Sequence, residues 1–206
     1  MFRIRLKFTK EEPIKYLSHR DLMTLLERAI RRVDLPVAFS QGYCPKMKLS
    51  VAWPLSVGMT SQCEYADIQM EKWVNVEQIT PLLNHVMPVG SRLIESSLAN
   101  LKEKSLTEQV QSARWHVEVS QMDSQPVCQS SEPEISPEEA NIRSNNNVPD
   151  NKKNEVVIDI SQYLIEETPE KRVYEMTLPA GPRNNTRIQD MFPKTASIDR
   201  LELILG

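Results

Sequence analysis

The chain has few glycines, few cysteines and no long apolar run, and each shortage excludes a class of protein. Its five glycines are scattered among 206 residues, so no glycine-rich loop is present to hold the phosphates of ATP or NAD. No apolar run reaches the ~18 residues that a membrane-spanning helix needs, and the opening segment lacks the apolar centre of a signal peptide. We therefore expect a cytoplasmic protein without membrane contact that uses neither nucleotide cofactor.

The three cysteines predict neither a disulfide framework nor a metal centre. Cys44, Cys63 and Cys128 are odd in number and far apart, which suits a reducing compartment. The three histidines add no zinc-ligand spacing, and the closely spaced cysteines that hold an iron–sulfur cluster are missing. We expect no bound cofactor and no metal ion.

The charge is small overall but unevenly distributed. The formal net charge is -3, yet residues 1–50 carry eleven Lys and Arg against five Asp and Glu. The rest of the chain is correspondingly acidic. A basic half favours a polyanionic partner such as RNA, although solvated faces rich in Lys and Arg are common without one.

Hydrophobic periodicity predicts the order strand, helix, strand, strand, helix, strand in the first half. Residues 2–9 alternate apolar and polar side chains, as a half-buried strand does. Ser18 is a typical N-cap, and an apolar stripe at helical spacing runs from it to Val33. The remaining elements are strands at 47–53, 63–70 and 91–98, and a helix at 75–86. This order is that of a ferredoxin-like sandwich.

The second half repeats the pattern less clearly, so we predict an α+β protein of two tandem ferredoxin-like sandwiches with antiparallel sheets. The units are 1–104 and 105–206, the second one degenerate. Its composition, rich in Ser, Asn, Pro and Glu, predicts a flexible insertion at 121–154. The predicted elements of this half are strands at 115–119, 155–160, 172–178 and 199–205, and short helices at 136–139 and 187–192.

A basic sheet face is the main candidate for binding. The first strand of a ferredoxin-like sheet is central, so its polar side chains Arg3, Arg5 and Lys7 point away from the helices. Lys46 and Lys48 extend this face, and five cations can hold a phosphodiester backbone. The alternatives are a solvated face neutralised by acidic neighbours, Glu64 or Asp67, and a contact with the second unit. The candidate binding residues are Arg3, Arg5, Lys7, His19, Gln41, Gly42, Tyr43, Lys46 and Lys48.

His19 is the candidate for catalysis in an alternative hypothesis. It occupies the first helical position, where the helix dipole favours the neutral imidazole that a general base requires. With Tyr16 and Lys46 close to it, His19 can take the proton of an RNA 2'-hydroxyl while the lysine stabilises the developing charge. The other interpretation is a histidine bonded to the neighbouring loop. We favour this second interpretation, because the sequence identifies no acid partner for His19.

Residues 2–70 resemble the bacterial radical-SAM-linked protein family, an uncharacterised domain family. The similar motifs are YLSHRDLM at 16–23, AFSQGY at 38–43, PLSVG at 54–58 and EYADI at 64–68. Members of the family are fused to, or encoded beside, a radical S-adenosylmethionine protein, and some lie near genes for ribonuclease G-type enzymes. The resemblance therefore implies an accessory role with a separate radical enzyme and a connection to RNA.

One departure from the family argues against catalysis by the loop around Tyr43. The family usually has an Asn-Pro-His-Pro run where this chain has Cys44, Pro45, Lys46 and Met47. We therefore expect a non-catalytic accessory or substrate-binding module that works with a radical SAM enzyme and binds RNA through the basic face. The alternative is a metal-independent endoribonuclease of tandem ferredoxin-like architecture, similar in fold to CRISPR repeat-processing ribonucleases, although fold does not determine chemistry.

Overall fold

The computed structural model describes residues 1–120, 160–180 and 187–206. Within these ranges the chain forms eight strands, three α-helices and three short 3₁₀ helices, which confirms the predicted α+β class. The elements are β1 (Phe2–Lys10), α1 (His19–Arg32), β2 (Leu49–Val51), β3 (Thr60–Met70), α2 (Val76–Val86), β4 (Leu93–Ala99), α3 (Leu106–Gln109), β5 (Val110–Ser120), β6 (Leu164–Glu167), β7 (Lys171–Pro179) and β8 (Ser197–Leu205), with 3₁₀ helices at Ile14–Tyr16, Ile160–Tyr163 and Ile188–Asp190.

Several predicted features lie outside the described residues. They are the insertion at 121–154, the short helix at 136–139 within it, and all but the last residue of the strand predicted at 155–160. In the described part of the chain, no helix is long and apolar enough to cross a membrane.

The strands of the first half follow the order β4, β1, β3, β2, and each neighbouring pair is antiparallel. The apolar side chains of β1 point to one face, where α1 and α2 cover them and form the first core. Ser18 caps α1, because its Oγ accepts a hydrogen bond from the Asp21 amide at 3.2 Å. The helix ends at Arg32, four residues before Pro36, whose ring cannot continue it.

All eight strands belong to one sheet, which differs from the expectation of two separate sandwiches. β2 is only three residues long and pairs with 66–68 of β3, so the other end of this edge of β3 is open. β8 pairs with this open part of β3 in the parallel direction, with Thr60 beside Asp199 and Ser61 beside Arg200. An exposed strand edge is a liability that proteins cover, and covering it here joins the two halves.

The second half has its own core on the opposite side of β3. Alternate residues of a strand point to opposite faces, and Cys63 packs with this second core whereas Ala66 packs with the first. Trp115 and Val117 of β5, together with residues of β7 and β8, supply most of the rest. Among the described residues of this half, the only α-helix has four residues.

Candidate functional site

Arg3, Arg5 and Lys7 lie on the face of the sheet that α1 and α2 leave uncovered. Their neighbours Ile4, Leu6 and Phe8 are buried in the first core, so the period of two in β1 separates the cations from the apolar side chains. We call this the basic face.

Lys48 extends the basic face on the far side of β3. It precedes β2, in which Ser50 pairs with Asp67, and its carbonyl oxygen accepts a hydrogen bond from the Gln69 amide at 3.0 Å. Asp67 is also the register partner of Arg5. The β-sheet register therefore places the side chains of Lys48 and Arg5 on the same face, with β3 between them.

Arg5 is neutralised by Asp67. Its Nε and Nη2 donate to the two carboxylate oxygens at 2.9 and 3.1 Å, and Nη1 donates to Gln109 Oε1 at 3.1 Å. The hydrogen bond to Asp67 raises the pKa of Arg5 above its ordinary value. Arg5 is therefore neutralised within the protein, as in the alternative interpretation that names Asp67. Glu64, the other acidic neighbour considered, points to the opposite face and pairs with Arg200.

Arg3 contacts the connection between β4 and α3. Its guanidinium donates to the carbonyl oxygens of Leu101 and Glu103, both at 3.3 Å. This connection runs across the basic face to reach the second half, so it covers part of the surface that the sequence predicted to be open. Periodicity within one strand cannot predict such a contact, because Arg3 and Leu101 are far apart in the chain.

A cavity remains beside this connection. It has a volume of about 250 Å³, and Arg3 and Lys48 lie on its wall with Ser50, Asp67, Gln69 and Ser105. The carboxylate of Asp67 is already paired with Arg5, so its charge is matched. Two cations from separate segments of the chain thus reach one concave surface.

Lys7 stands at the other end of β1, away from this cavity. Its Nζ lies 5.9 Å from the centre of the Tyr65 ring, and its register partner on β4 is Glu95. Tyr65 itself is partly buried, and desolvation raises the pKa of its hydroxyl above the ordinary value. The two ends of the basic face therefore differ, and the Arg3 end has two cations that converge on one cavity.

Gln41, Gly42 and Tyr43 form the tip of a hairpin next to Lys48. The Ser40 amide donates to the Lys46 carbonyl at 2.8 Å, and the Lys46 amide donates to Ser40 Oγ at 2.9 Å, which closes the loop. Gly42 has a φ of 132°, which residues with a Cβ rarely adopt. The side chain of Tyr43 is fully exposed.

His19 lies far from Lys46, which corrects the expectation that the two are close. α1 begins near the end of β1 at Lys10 and runs back over the sheet, whereas the hairpin is bridged to Met70, the register partner of Phe2. The nine residues of β1 span roughly 27 Å, and α1 lies on the face opposite the cations. Of the residues proposed for RNA cleavage, only Tyr16 remains near His19, through the short 3₁₀ helix that precedes α1.

Exposed aromatic residues at the hairpin end of the sheet are the feature that sequence reasoning missed. Phe2 and Trp73 form an edge-to-face pair with ring centres 5.3 Å apart, and both are exposed, as is Phe39 of the hairpin. The alternation in β1 assigned Phe2 to the buried face. Phe2 is exposed nevertheless, because the strand begins beyond the cover of the helices.

The comparison with known protein families accounts for most of the chain. A family model described as an uncharacterised protein conserved in bacteria (DUF2344) matches residues 3–188. The chain belongs to this family. The family match includes both the basic face and the hairpin. No curated protein matches the chain.

Proposed function

We propose that the protein is a non-catalytic accessory module that binds RNA with its basic face and works with a separate radical SAM enzyme. The observation that carries the proposal is the convergence of Arg3 and Lys48 on one cavity beside the exposed hairpin. Cations that converge from different segments attract phosphate oxygens. Lys46 at the base of the hairpin extends the positive surface towards Tyr43.

The aromatic residues beside these cations favour single-stranded RNA. Proteins that bind single strands combine a positive groove with aromatic side chains on which bases stack. Tyr43 is exposed at the tip of the hairpin, next in the chain to the segment that carries Lys46 and Lys48. Phe2 is exposed at the same end of the sheet, at the start of β1 and on the face opposite Arg3. We infer that phosphates contact the cavity while bases stack at this end of the sheet.

The architecture supports a ferredoxin-like assignment for the first half. The order β4, β1, β3, β2 with two helices on one face is the arrangement of that class. We extend the assignment to the second half as a degenerate copy, and we infer that the protein acts in the cytoplasm.

Binding of a fluorescent single-stranded oligoribonucleotide tests the RNA proposal. Reversing Lys46 and Lys48 together (K46E/K48E) is expected to weaken binding at least about tenfold, because two phosphate contacts are lost and replaced by repulsion. The slope of log affinity against log salt should fall by about 1.4, since each contact to a single strand contributes about 0.7. Fluorescence anisotropy at several salt concentrations measures both quantities.

The matched control reverses two exposed arginines on the other face of the molecule. R28E/R31E changes the net charge by the same amount on α1, and is expected to change the affinity by less than about threefold, through long-range charge alone. Equal losses in the two double variants, or an affinity that does not depend on salt, would show that the basic face binds no phosphates.

Co-purification with a radical SAM enzyme from the same organism tests the partner proposal. The wild-type protein is expected to retain the enzyme on an affinity column. A double reversal at Arg3 and Lys7 (R3E/K7E) is expected to reduce retention if the same face docks the enzyme. Retention by neither protein would contradict a direct partnership.

A further inference from the structure

A second cavity, about 500 Å³ in volume, lies between the loop that follows β2 and the second half of the molecule. The loop contains the PLSVG motif, for which the RNA-binding proposal has no use. Trp53 of the loop and Trp115 of β5 form aromatic walls. Leu55, Met59 and Ile188 add apolar surface, and Arg187 contributes the positive charge. We call it the tryptophan cavity.

One buried arginine contacts both tryptophans. Arg200 of β8 is completely buried, and its Nη1 donates to the carbonyl oxygen of Trp53 at 2.9 Å. Its guanidinium carbon lies 5.7 Å from the centre of the Trp115 ring, within the range of a cation–π contact. Glu64 pairs with the same guanidinium, which keeps Arg200 in place.

Trp53 is held in a backbone conformation that is costly for a residue with a large side chain. Its φ is +29°, and such conformations persist only where the surroundings enforce them, often at ligand-binding sites. The hydrogen bond from Arg200 to its carbonyl oxygen supplies that enforcement. A buried ion pair adds little stability over apolar residues. We therefore attribute the buried Arg200–Glu64 pair and the unusual backbone of Trp53 to the positioning of the two tryptophan rings rather than to core packing.

The surroundings of the tryptophan cavity define the chemistry of a ligand. Aromatic and aliphatic walls favour a flat, apolar ring system. Arg187 is exposed at the wall, and no acidic side chain is present among the described residues that line the cavity. The volume falls within the usual range for small-molecule sites, roughly 300 to 1,000 Å³.

We propose that the tryptophan cavity binds a small planar aromatic molecule that carries a negative charge. Trp53 and Trp115 contact the ring, and Arg187 pairs with the anionic group. This site goes beyond the proposed function, since none of its walls belongs to the basic face. Loss of ligand binding in the tryptophan cavity therefore leaves the RNA proposal unaffected, and loss of RNA binding leaves the ligand proposal unaffected.

Two fluorescent dyes that share a ring system and differ in one anionic group test the proposal. Anilinonaphthalene sulfonate carries the ring system and the anion, and N-phenylnaphthylamine carries the same rings without the sulfonate. Arg187→Gln is expected to weaken binding of the sulfonate dye at least about tenfold, the usual effect of losing one charged hydrogen bond. The neutral dye should bind this variant within about twofold of the wild type. Lys194→Gln, a loss of charge at an exposed residue nearby, is the matched control.

Variants of the tryptophans test the walls. Trp53→Ala is expected to weaken both dyes at least about tenfold, since the ring contact is lost, whereas Trp73→Ala, at an exposed tryptophan elsewhere, changes neither. Trp53→Phe keeps an aromatic ring and should retain binding within about fivefold, which separates loss of the wall from loss of the fold. Circular dichroism checks that each variant is folded.

The outcomes that overturn the proposal are equal binding of the sulfonate dye by Arg187→Gln and the wild type, or full binding of both dyes by a folded Trp53→Ala. Competition with natural compounds then distinguishes the sources of the ligand. Displacement of the dye by adenosine monophosphate supports a nucleotide, and displacement by indole acetate supports an aromatic carboxylate. Failure of both compounds to displace the dye also overturns the proposal.

Discussion

Arg200 and Glu64 form an ion pair whose side chains are both fully buried. The two residues come from different halves of the chain, on β8 and β3. Arg200 also bonds the Trp53 carbonyl, and Lys10 lies buried nearby with its Nζ bonded to the Leu17 carbonyl at 3.0 Å. Burial lowers the pKa of Lys10, although the charge of Glu64 opposes this effect. Three charges are thus removed from water at one place in the molecule.

Removing both members of the buried pair should cost less than the two single losses added together. Arg200→Met leaves the Glu64 carboxylate buried without its partner, for which we expect a loss of about 3 to 5 kcal/mol in unfolding free energy. In the double variant with Glu64→Leu no uncompensated carboxylate remains, so its loss should be smaller than the sum of the single losses by about 2 kcal/mol. Urea unfolding measures all three, and additive losses would contradict the expectation.

Glu118 should contribute to the pH dependence of stability. Its pKa lies below the ordinary 4.5, first because Lys171 donates a hydrogen bond to it and then because His116 does. A carboxylate with a lowered pKa in the folded state stabilises fully above its unfolded pKa, and this contribution is lost as the pH falls through the lower folded value. Glu118 is partly exposed, so we expect less than about 1 kcal/mol.

The variant Glu118→Gln should therefore lose less stability than the wild type between pH 5 and pH 3, roughly the range in which an ordinary carboxylate takes up its proton. Glu71→Gln, at an exposed position, is the control and should follow the wild-type curve. Parallel curves for the wild type and Glu118→Gln would mean that the contact with Lys171 does not form in solution.

At the scale of elements, α1 begins at a cap that the sequence identifies. Ser18 Oγ accepts from the Asp21 amide and also donates to the Asp21 carboxylate at 2.6 Å. We expect Ser18→Ala to lower the unfolding free energy by about 1 kcal/mol, the usual cost of a lost N-cap. Urea unfolding measures this change. Ser120→Ala, at an exposed serine at the end of β5, should cost less than about 0.5 kcal/mol. Equal costs would argue against capping.

Elements with a clear period are predictable, and those without one are not. β1, α1 and α2 agree with their predictions to within about two residues at most boundaries, because each has one buried face and one exposed face. β6 escaped prediction because all four of its residues are exposed, so no alternation exists. α3 is also too short to show a helical period.

The candidate site also has a part that the sequence predicts and a part that it does not. The shared face of Arg3, Arg5 and Lys7 follows from alternation within one strand, so the sequence predicts it. The bond from Arg5 to Gln109 and the cover over Arg3 join residues about a hundred positions apart. The separation of His19 from Lys46 depends on the direction in which α1 crosses the sheet. Such long-range geometry requires the three-dimensional structure.

For the whole molecule, the shared sheet predicts a single unfolding transition. β3 and β8 pair across the halves, and Arg5, Gln109, Glu64 and Arg200 add polar contacts between them. Trp73 reports on the first half and Trp115 on the second. Two variants give separate fluorescence signals: both carry Trp53→Phe, and each keeps only one of the other two tryptophans. We expect the same urea midpoint from both reporters, as in two-state unfolding. Two separate midpoints would show that the halves unfold independently.

The connection that crosses the basic face has a consequence for which ligands can bind there. The guanidinium of Arg3 already donates two of its five N–H groups to peptide oxygens, and a ligand that uses these two groups must displace those oxygens. Arginine binds an ionised oxygen of a carboxylate or a phosphate more strongly than a neutral carbonyl oxygen, and frequently through two parallel hydrogen bonds. Sugars, amides and other uncharged compounds therefore compete on equal terms at best, whereas a phosphodiester has an advantage. The segment that crosses the basic face therefore favours anionic ligands over neutral ones.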